Sequence, residues 1–449
     1  MKFYNREKEL QNLQEIEEGS KESSKMTIVV GRRRIGKTTL IKKAYTNQVY
    51  LFVSKKNEAL LCEEFIVIIQ DTLKVKVFGQ IKTFKELFEY LMELSKTKHF
   101  TLVIDEFQEF LQINNTIYSD MQNIWDSYKD NSKMNLVLSG SIYSLMKKIF
   151  EDKKEPLFGR ANNKIHLKPF SVQTIKEIVE ENHASYNADD LLSFYMLTGG
   201  VAKYVEIFVD SKAFTLEKQL ALIFKDYSLF LEEGKNLLIE EFGKEYTTYF
   251  SILSLIASSK TSRSELESIL NKNIGGYLDR LENEYTIIKK VKPIFAKEGS
   301  RTVKYEIIDN FFNFWFRFVY KYRSAVEIEN YEYVKNIVLR DYATYSGRFL
   351  EKYFIEQLKL SYEYSNIGSY WERGNQNEID IVAVNDEKKT MLFVEVKRNV
   401  KKIDLKVLEG KASKLMAKYR KYAFEFEGFS LEDVKNDESF KEMKKDMHG

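Results

Sequence analysis

Continuous apolar runs alternate with helix-spaced ones along the first 150 residues. Met26–Val30, Tyr50–Val53, Phe100–Ile104 and Asn135–Ser139 are short and apolar along most of their length, so they read as strands buried on both faces. Between them, Lys37–Tyr45 has helical character and Phe84–Leu94 sets Phe84, Leu87, Phe88 and Leu91 at helical spacing. Strands of this kind separated by helices predict a parallel sheet covered on both sides.

The pattern then changes twice. Ser171 to Val209 is helical, broken at Thr198-Gly199-Gly200, and predicts a small helical lid. From Glu245 to Ile308 a helix at Tyr249–Ala257 is followed by Ser262–Leu270, with Ser262 placed to cap and Glu265 three residues on. Ile274–Leu281 and two strand-like runs, Thr286–Val291 and Thr302–Ile308, complete an order that resembles a winged helix, a module that binds DNA in some proteins and protein in others. The last part is mixed again: a helix at Tyr345–Leu360, strands at Glu378–Val384 and Met391–Val396, a basic helix at Lys406–Tyr419 and a charged end from Lys435 to Gly449. Four parts are expected, at 1–168, 169–240, 241–325 and 326–449.

Composition narrows the classes. A hydrophobic share of 44% and a charged share of 31% describe globular material rather than a disordered chain. Lys+Arg 70 against Asp+Glu 67 gives a net charge of +3, which excludes a polycation that coats nucleic acid as a whole. The single cysteine, Cys62, excludes an internal disulfide and a multi-cysteine zinc site, and the four histidines (His99, His166, His183, His448) are scattered. The amino-terminal residues show no apolar secretion signal. Phe311–Tyr320 is too short for the roughly 20 apolar residues of a spanning helix and carries Asn313 and Arg317. A soluble cytoplasmic protein, without membrane partners, is expected. The aromatic run Phe311–Phe316 reads as core packing in preference to a base-stacking surface.

The first candidate site is Gly31-Arg32-Arg33-Arg34-Ile35-Gly36-Lys37-Thr38, which matches G-x-x-x-x-G-K-[ST] and lies between a strand and a helix. Gly31 and Gly36 let the backbone curl so that successive N–H groups face anionic oxygens, and the helix that opens behind them adds its positive end. Lys37 supplies a point charge to the β- and γ-phosphates, and Thr38 offers a hydroxyl to Mg²⁺. Arg32, Arg33, Arg34, Ile35 and Thr39 complete the predicted nucleotide-binding stretch. Asp105 and Glu106 end an apolar strand: Asp105 is expected on the Mg²⁺ side and Glu106 as the group that polarises the attacking water. Ser139, at the end of a further strand, is expected beside the γ-phosphate, with Ser141 as a helix cap. Arg160 is the candidate arginine finger, from its own chain or from a neighbour in a homo-oligomer.

Taken with Asn5-Arg6-Glu7, Pro156-Leu157-Phe158-Gly159-Arg160 and Thr198-Gly199-Gly200, these motifs resemble the archaeal-type ATPases, P-loop proteins of the AAA+/STAND kind found in archaea and bacteria. The resemblance implies ATP in preference to GTP, Asn5-Arg6-Glu7 near the adenine, a helical lid and a winged helix. Ala202 departs from the family pattern, which often has Pro there. The implied fold is α/β and multidomain: a parallel-sheet P-loop NTPase core, a helical lid, a winged helix-turn-helix and a C-terminal restriction-endonuclease-like α/β domain.

The second candidate site lies in that last part. Fourteen residues separate Asp380, in Glu378-Ile379-Asp380-Ile381-Val382, from Glu395, in Leu392-Phe393-Val394-Glu395-Val396-Lys397. Glu395 and Lys397 share one face of a strand, and a hairpin pairing brings Asp380 to Glu395. Two close carboxylates call for a cation, and Mg²⁺ or Mn²⁺ suits them. Lys397 is placed to orient a water or steady charge on a phosphate, and Glu351, on an upstream helix, is a further candidate ligand. The set resembles the PD-(D/E)xK nuclease core, with Glu351, Asp380, Glu395 and Lys397 at matching positions, and the same ATPases often carry such a domain behind a Tyr-Trp such as Tyr370-Trp371. Lys397, Arg398, Lys401, Lys402, Lys406, Lys411 and Lys414 would attract backbone phosphates. The leading expectation is an Mg²⁺-dependent ATPase coupled to a nuclease-like domain acting on DNA. The alternative is an ATP-gated signalling switch or scaffold whose inert C-terminal domain binds DNA or a protein partner.

Overall fold

The computed structural model describes residues 1–435 apart from 78, 301, 373 and 375; the expected charged end beyond Lys435, His448 included, lies outside the described residues. The chain divides into two compact units at Pro169/Phe170.

In the first unit, strands β1 (Lys25–Val30), β2 (Gln48–Phe52), β3 (Phe100–Asp105), β4 (Met134–Gly140) and β5 (Asn163–His166) form one sheet in the order β2-β3-β4-β1-β5. Every pairing is parallel, as the continuous apolar strands imply. Helices Glu7–Ser20 and Lys37–Ala44 cover one face through Leu13, Leu40 and Ile41. Helices Glu58–Leu73, Phe84–Leu94 and Ile117–Tyr128 cover the other around Phe65, Phe88 and Trp125. Cys62 is buried in that second core, which pushes its thiol up to about 12. The chain leaves β1 for the far edge of the sheet and β4 for the opposite edge, so the loop after β1 opens at a switch point, where such sheets bind ligands.

The second unit begins with helices Val172–Asn182, Ala188–Thr198, Ala202–Asp210, Leu216–Ile223 and Leu229–Phe242. Helices Tyr246–Ala257, Arg263–Leu270 and Gly275–Asp279 follow, and then the antiparallel pair β6 (Ile288–Val291) and β7 (Lys304–Ile307). Phe311, Phe312, Phe314, Trp315 and Phe316 are buried, so this aromatic run is core. A helix of 30 residues, Tyr331–Leu360, leads into a four-stranded sheet ordered β11-β10-β9-β8, with β8 Asn366–Tyr370, β9 Ile379–Asn385, β10 Thr390–Lys397 and β11 Ala423–Ser430. β9 and β10 are the expected hairpin, while β10 and β11 run parallel around the Leu405–Lys418 helix. Among the described residues, no helix is long and apolar enough to cross a membrane.

Candidate active sites

β1 ends at Val30 and the chain curls through Gly31–Gly36 into the Lys37–Ala44 helix. Gly36 has φ 97°, a conformation that favours glycine, and Arg34 holds φ 68° beside it, local strain of the sort found at ligand loops. The curl turns Lys37 inward: its Nζ donates to the carbonyls of Gly31 at 2.7 Å and Arg32 at 3.1 Å. Burial lowers the Lys37 pKa to about 8; Glu106 and Asp105 oppose that shift and Arg33 adds to it. Ile35 is buried beneath the loop, and Thr39 is exposed.

Thr38 Oγ1 donates to Asp105 Oδ2 at 3.3 Å, so the two groups expected on the Mg²⁺ side already face each other. Both offer hard oxygen donors, which fits Mg²⁺ held by few protein ligands and completed by phosphate and water. Tyr50, on the neighbouring strand, also donates its hydroxyl to Asp105 Oδ2. Burial and the Asp105 carboxylate hold that phenol well above its ordinary pKa. Glu106 sits at φ 54°, and its carboxylate accepts from Ser141 Oγ at 2.7 Å and Gln108 Nε2 at 2.5 Å. Arg33 Nε donates to the same Ser141 Oγ at 3.3 Å. Tyr50, Gln108 and Ser141 are thus site residues that sequence reading missed or placed elsewhere. A Cβ at Gly140 would stand 2.4 Å from Gln108 Oε1, so glycine lets the end of β4 pass the Glu106 pocket.

Two expectations need correction. The Ser139 side chain is fully buried and its Oγ has no hydrogen-bond partner among the described residues; Ser141, expected as a helix cap, makes no capping bond and reaches Glu106 instead. Two positions along β4 carry the hydroxyl past the strand end, where it meets the acid. Arg160 pairs with Asp126 at 3.0 Å, and Asn162 bonds both main-chain groups of Met26, level with the start of β1. At about 3.3 Å per residue that is roughly 17 Å from the loop end of β1, which removes Arg160 from its own chain's phosphates. Arg6 is buried and donates to the Lys168 carbonyl at 2.6 Å and to Glu9 at 3.2 Å.

In the second unit, the β9–β10 ladder ends at Ile381 and Val394, and Asp380 and Glu395 follow directly beyond that rung on the two strands. Lys397 Nζ bridges them, 3.2 Å from Asp380 Oδ2 and 3.4 Å from Glu395 Oε1. Burial lowers the Lys397 pKa, but Asp380 and Glu395 outweigh it and raise the ammonium above its ordinary range. Asp380 also accepts the Val396 N–H at 2.8 Å. Glu395 accepts from the Asp404 N–H at 3.1 Å and from Lys411 at 3.2 Å. Burial pushes the Glu395 carboxyl up, and those donors together with Lys397 bring it below its ordinary value. Glu351, on the Tyr331–Leu360 helix, is held well above the carboxylate range by burial and by the charges of Asp380 and Glu378, with Lys397 opposing. The expected cage of three carboxylates is not gathered: among the described residues no group of three or more His, Cys, Asp and Glu side chains is set to hold a metal. What the strands do present is a pair, Asp380 and Glu395. That suffices for Mg²⁺ when substrate phosphate and water supply the remaining ligands.

Residues 3–208 match the family described as an ATPase domain predominantly from Archaea, and residues 315–434 match one described as archaeal and bacterial proteins of unknown function. The uncharacterized protein MJECL04 of Methanocaldococcus jannaschii is 31% identical over 424 residues, covering 89% of this chain and 90% of that protein. The Walker-type ATPase PABY2304 of Pyrococcus abyssi superposes with a TM-score of 0.53 at 19% identity, over 70% of this chain and 96% of its own. The chain belongs to the family of archaeal-type P-loop ATPases. Its first unit is the ATP-binding and hydrolysing domain.

Proposed function

We propose that ATP bound at Gly31–Thr38 governs a C-terminal, metal-dependent, nuclease-like centre that acts on DNA. The convergence of Asp380, Glu395 and Lys397 across β9 and β10 carries this reading. At the first site, the main-chain amides of residues 31–36 and Lys37 grip the phosphates, while Thr38 and Asp105 would hold Mg²⁺. Glu106, aimed by Ser141 and Gln108, accepts a proton from the attacking water. When bound, Mg²⁺ neutralises charge on the phosphates. A supporting role for Arg160 is assigned to a neighbouring copy.

At the second site, Asp380 and Glu395 would hold the ion. A bound divalent ion there supplies Lewis-acid stabilisation of the phosphodiester oxygens. Lys397, displaced from between the acids, orients the attacking water or steadies the phosphate. The cations Lys401, Lys402 and Lys406 are exposed beside it and suit a nucleic-acid backbone.

The helix-helix-helix-hairpin segment is proposed as a winged helix that docks the C-terminal part and does not read DNA. Its third helix opens at Gly275–Asp279 without a cation and runs on as a π turn over Arg280–Glu284, where its one cation, Arg280, is held by Glu245. Four cations around it are ion-paired, Arg263 with Glu267, Arg280 with Glu245, Lys289 with Glu306 and Lys290 with Glu282, and Lys272 rests on Tyr277. A specific observation also favours the second reading, an ATP-gated switch with an inert C-terminal domain: Lys397 and Lys411 already neutralise the acids.

The deciding experiment is DNA cleavage with Mg²⁺ or Mn²⁺, with and without ATP, for wild type, Lys37→Ala and Asp380→Ala. Cleavage lost in Asp380→Ala and altered by ATP only when Lys37 is present supports the nuclease reading. Intact DNA under every condition leaves the switch.

A further inference from the structure

A cleft of about 320 Å³ lies beside the acid–lysine centre, where the segment between β6 and β7 meets the C-terminal sheet. Ile294 N–H donates to the Ser369 carbonyl at 2.8 Å and Lys304 pairs with Glu378 at 2.8 Å, so the segment is fastened to the sheet on both sides of the cleft. Three aromatic rings line it: Phe295, Tyr370 and Trp371. Phe295 and Tyr370 are half-buried, Phe295 braced by Tyr419 with ring centroids 4.5 Å apart, while Trp371 is buried beneath them with the Lys304 ammonium 4.4 Å over its ring.

The polar groups are arranged at one side. Glu372 is compensated by Lys414, Asn377 at 3.0 Å and the Tyr370 hydroxyl at 3.3 Å, so its charge does not repel a phosphate as a bare carboxylate would. Lys418 is exposed on the same wall, its ammonium 5.0 Å from the Tyr419 ring centre. Aromatic faces backed by cations are the chemistry that holds unpaired bases, since every base has a π-face and every nucleotide a phosphate.

Position gives the cleft its meaning. Tyr370 pairs with Ile379 across β8 and β9, one residue from Asp380. Tyr370 therefore stands one strand, about 4.8 Å, from the backbone that carries Asp380, and two strands from the one that carries Glu395 and Lys397. The cleft thus lies on the Asp380 side of the centre, where the nucleotide next to a phosphate held at Asp380 would fall.

The geometry points to a base-binding subsite: the cleft takes one unpaired nucleotide beside the phosphate presented to Asp380, Glu395 and Lys397, and so selects single-stranded or frayed nucleic acid over intact duplex. This rests on the nucleic-acid reading of that centre given above. Duplex bases, stacked on their neighbours, cannot enter.

The test is fluorescence anisotropy with a fluorescein-labelled 12-nucleotide DNA strand, the same sequence as RNA and the same sequence as duplex DNA. Calcium replaces magnesium to hold back cleavage. Wild type, Phe295→Ala and Lys418→Ala are compared; the second alters only an exposed side chain, so loss of folding does not mimic loss of the site. The expected result is at least roughly tenfold tighter binding of a single strand than of duplex, reduced roughly tenfold in Phe295→Ala and several-fold in Lys418→Ala. Equal affinity for duplex, or wild-type binding by both variants, overturns the subsite while leaving the nucleic-acid reading in place. Failure of wild type to bind any of the three probes overturns both.

Discussion

Arg398 follows Lys397 at the end of β10, and its guanidinium is ion-paired at 2.8 Å with Asp189 in the first turn of the Ala188–Thr198 helix, 209 residues earlier. The same guanidinium donates to the buried Ser346 at 2.7 Å and lies 5.0 Å from the centre of the Tyr342 ring. Tyr342 in turn donates to Asp189 at 2.6 Å. The helices after residue 170 are thereby fixed to the strand that ends in the acid–lysine centre. Arg398→Ala is expected to cost about 1–2 kcal/mol, because Asp189 and Ser346 lose a charged partner at a half-exposed site. Asp189→Asn is expected to cost less, and the double variant little more than Arg398→Ala alone. Thermal midpoints of the three variants check this; additive losses would mean that the pair is not coupled.

Lys37→Ala is expected to abolish ATP binding and hydrolysis while the second unit keeps its structure. Nucleotide titration and far-ultraviolet circular dichroism measure the two halves of that statement. Undiminished ATP turnover would remove the loop from the mechanism.

The pH response of Lys37 has a definite sign. Its native pKa is lowered to about 8, below the ordinary value of 10.5. Between those values the unfolded chain binds more protons, so this group's contribution to stability rises with pH there. Phosphate affinity, which needs the ammonium, falls over the same interval. ATP binding at pH 8.5 should therefore take up a fraction of a proton, read by calorimetry in two buffers of different ionisation enthalpy. Lys37→Arg should show no uptake.

Tyr50→Phe removes a donor that competes for Asp105 Oδ2. The half-saturating Mg²⁺ concentration for ATP hydrolysis is expected to fall several-fold, with the fold unchanged. A rise would assign Tyr50 to positioning Asp105 rather than to competing for it.

Cys62 provides a reporter. With its thiol buried and pushed up to about 12, it should resist a thiol reagent at pH 8 in the folded chain and react fully in denaturant. Rapid labelling without denaturant would contradict the core around Phe65 and Phe88.

Much of the architecture was legible in local pattern. The phosphate loop announces itself because its glycines, lysine and threonine must be contiguous, and Asp105-Glu106 follows an unbroken apolar strand. Asp380 and Glu395 could be paired because a short turn between two strands leaves few registers. The sheet order β2-β3-β4-β1-β5 was not legible, since it depends on pairings between distant segments. Strands β5, β8 and β11 escaped notice: Asn163–His166 is a short edge strand, and Ala423–Ser430 alternates exposed and partly buried residues over much of its length. Tyr50 in a five-residue strand reads as packing until Asp105 is seen beside it. Ser139 and Ser141 differ only by how far β4 runs, a boundary that sequence places least well. Arg398 looked like one cation in a basic run, because its partner lies 209 residues away.

The inward fold of Lys37 has a consequence for selectivity. Its ammonium is already bonded to the carbonyls of Gly31 and Arg32, so an arriving anion must trade places with internal partners instead of meeting a bare charge. A chloride or other small anion brings fewer contacts to that exchange. A triphosphate, engaging the lysine and a row of main-chain amides at once, brings more, so the loop is expected to favour anions by the number of points of attachment they offer.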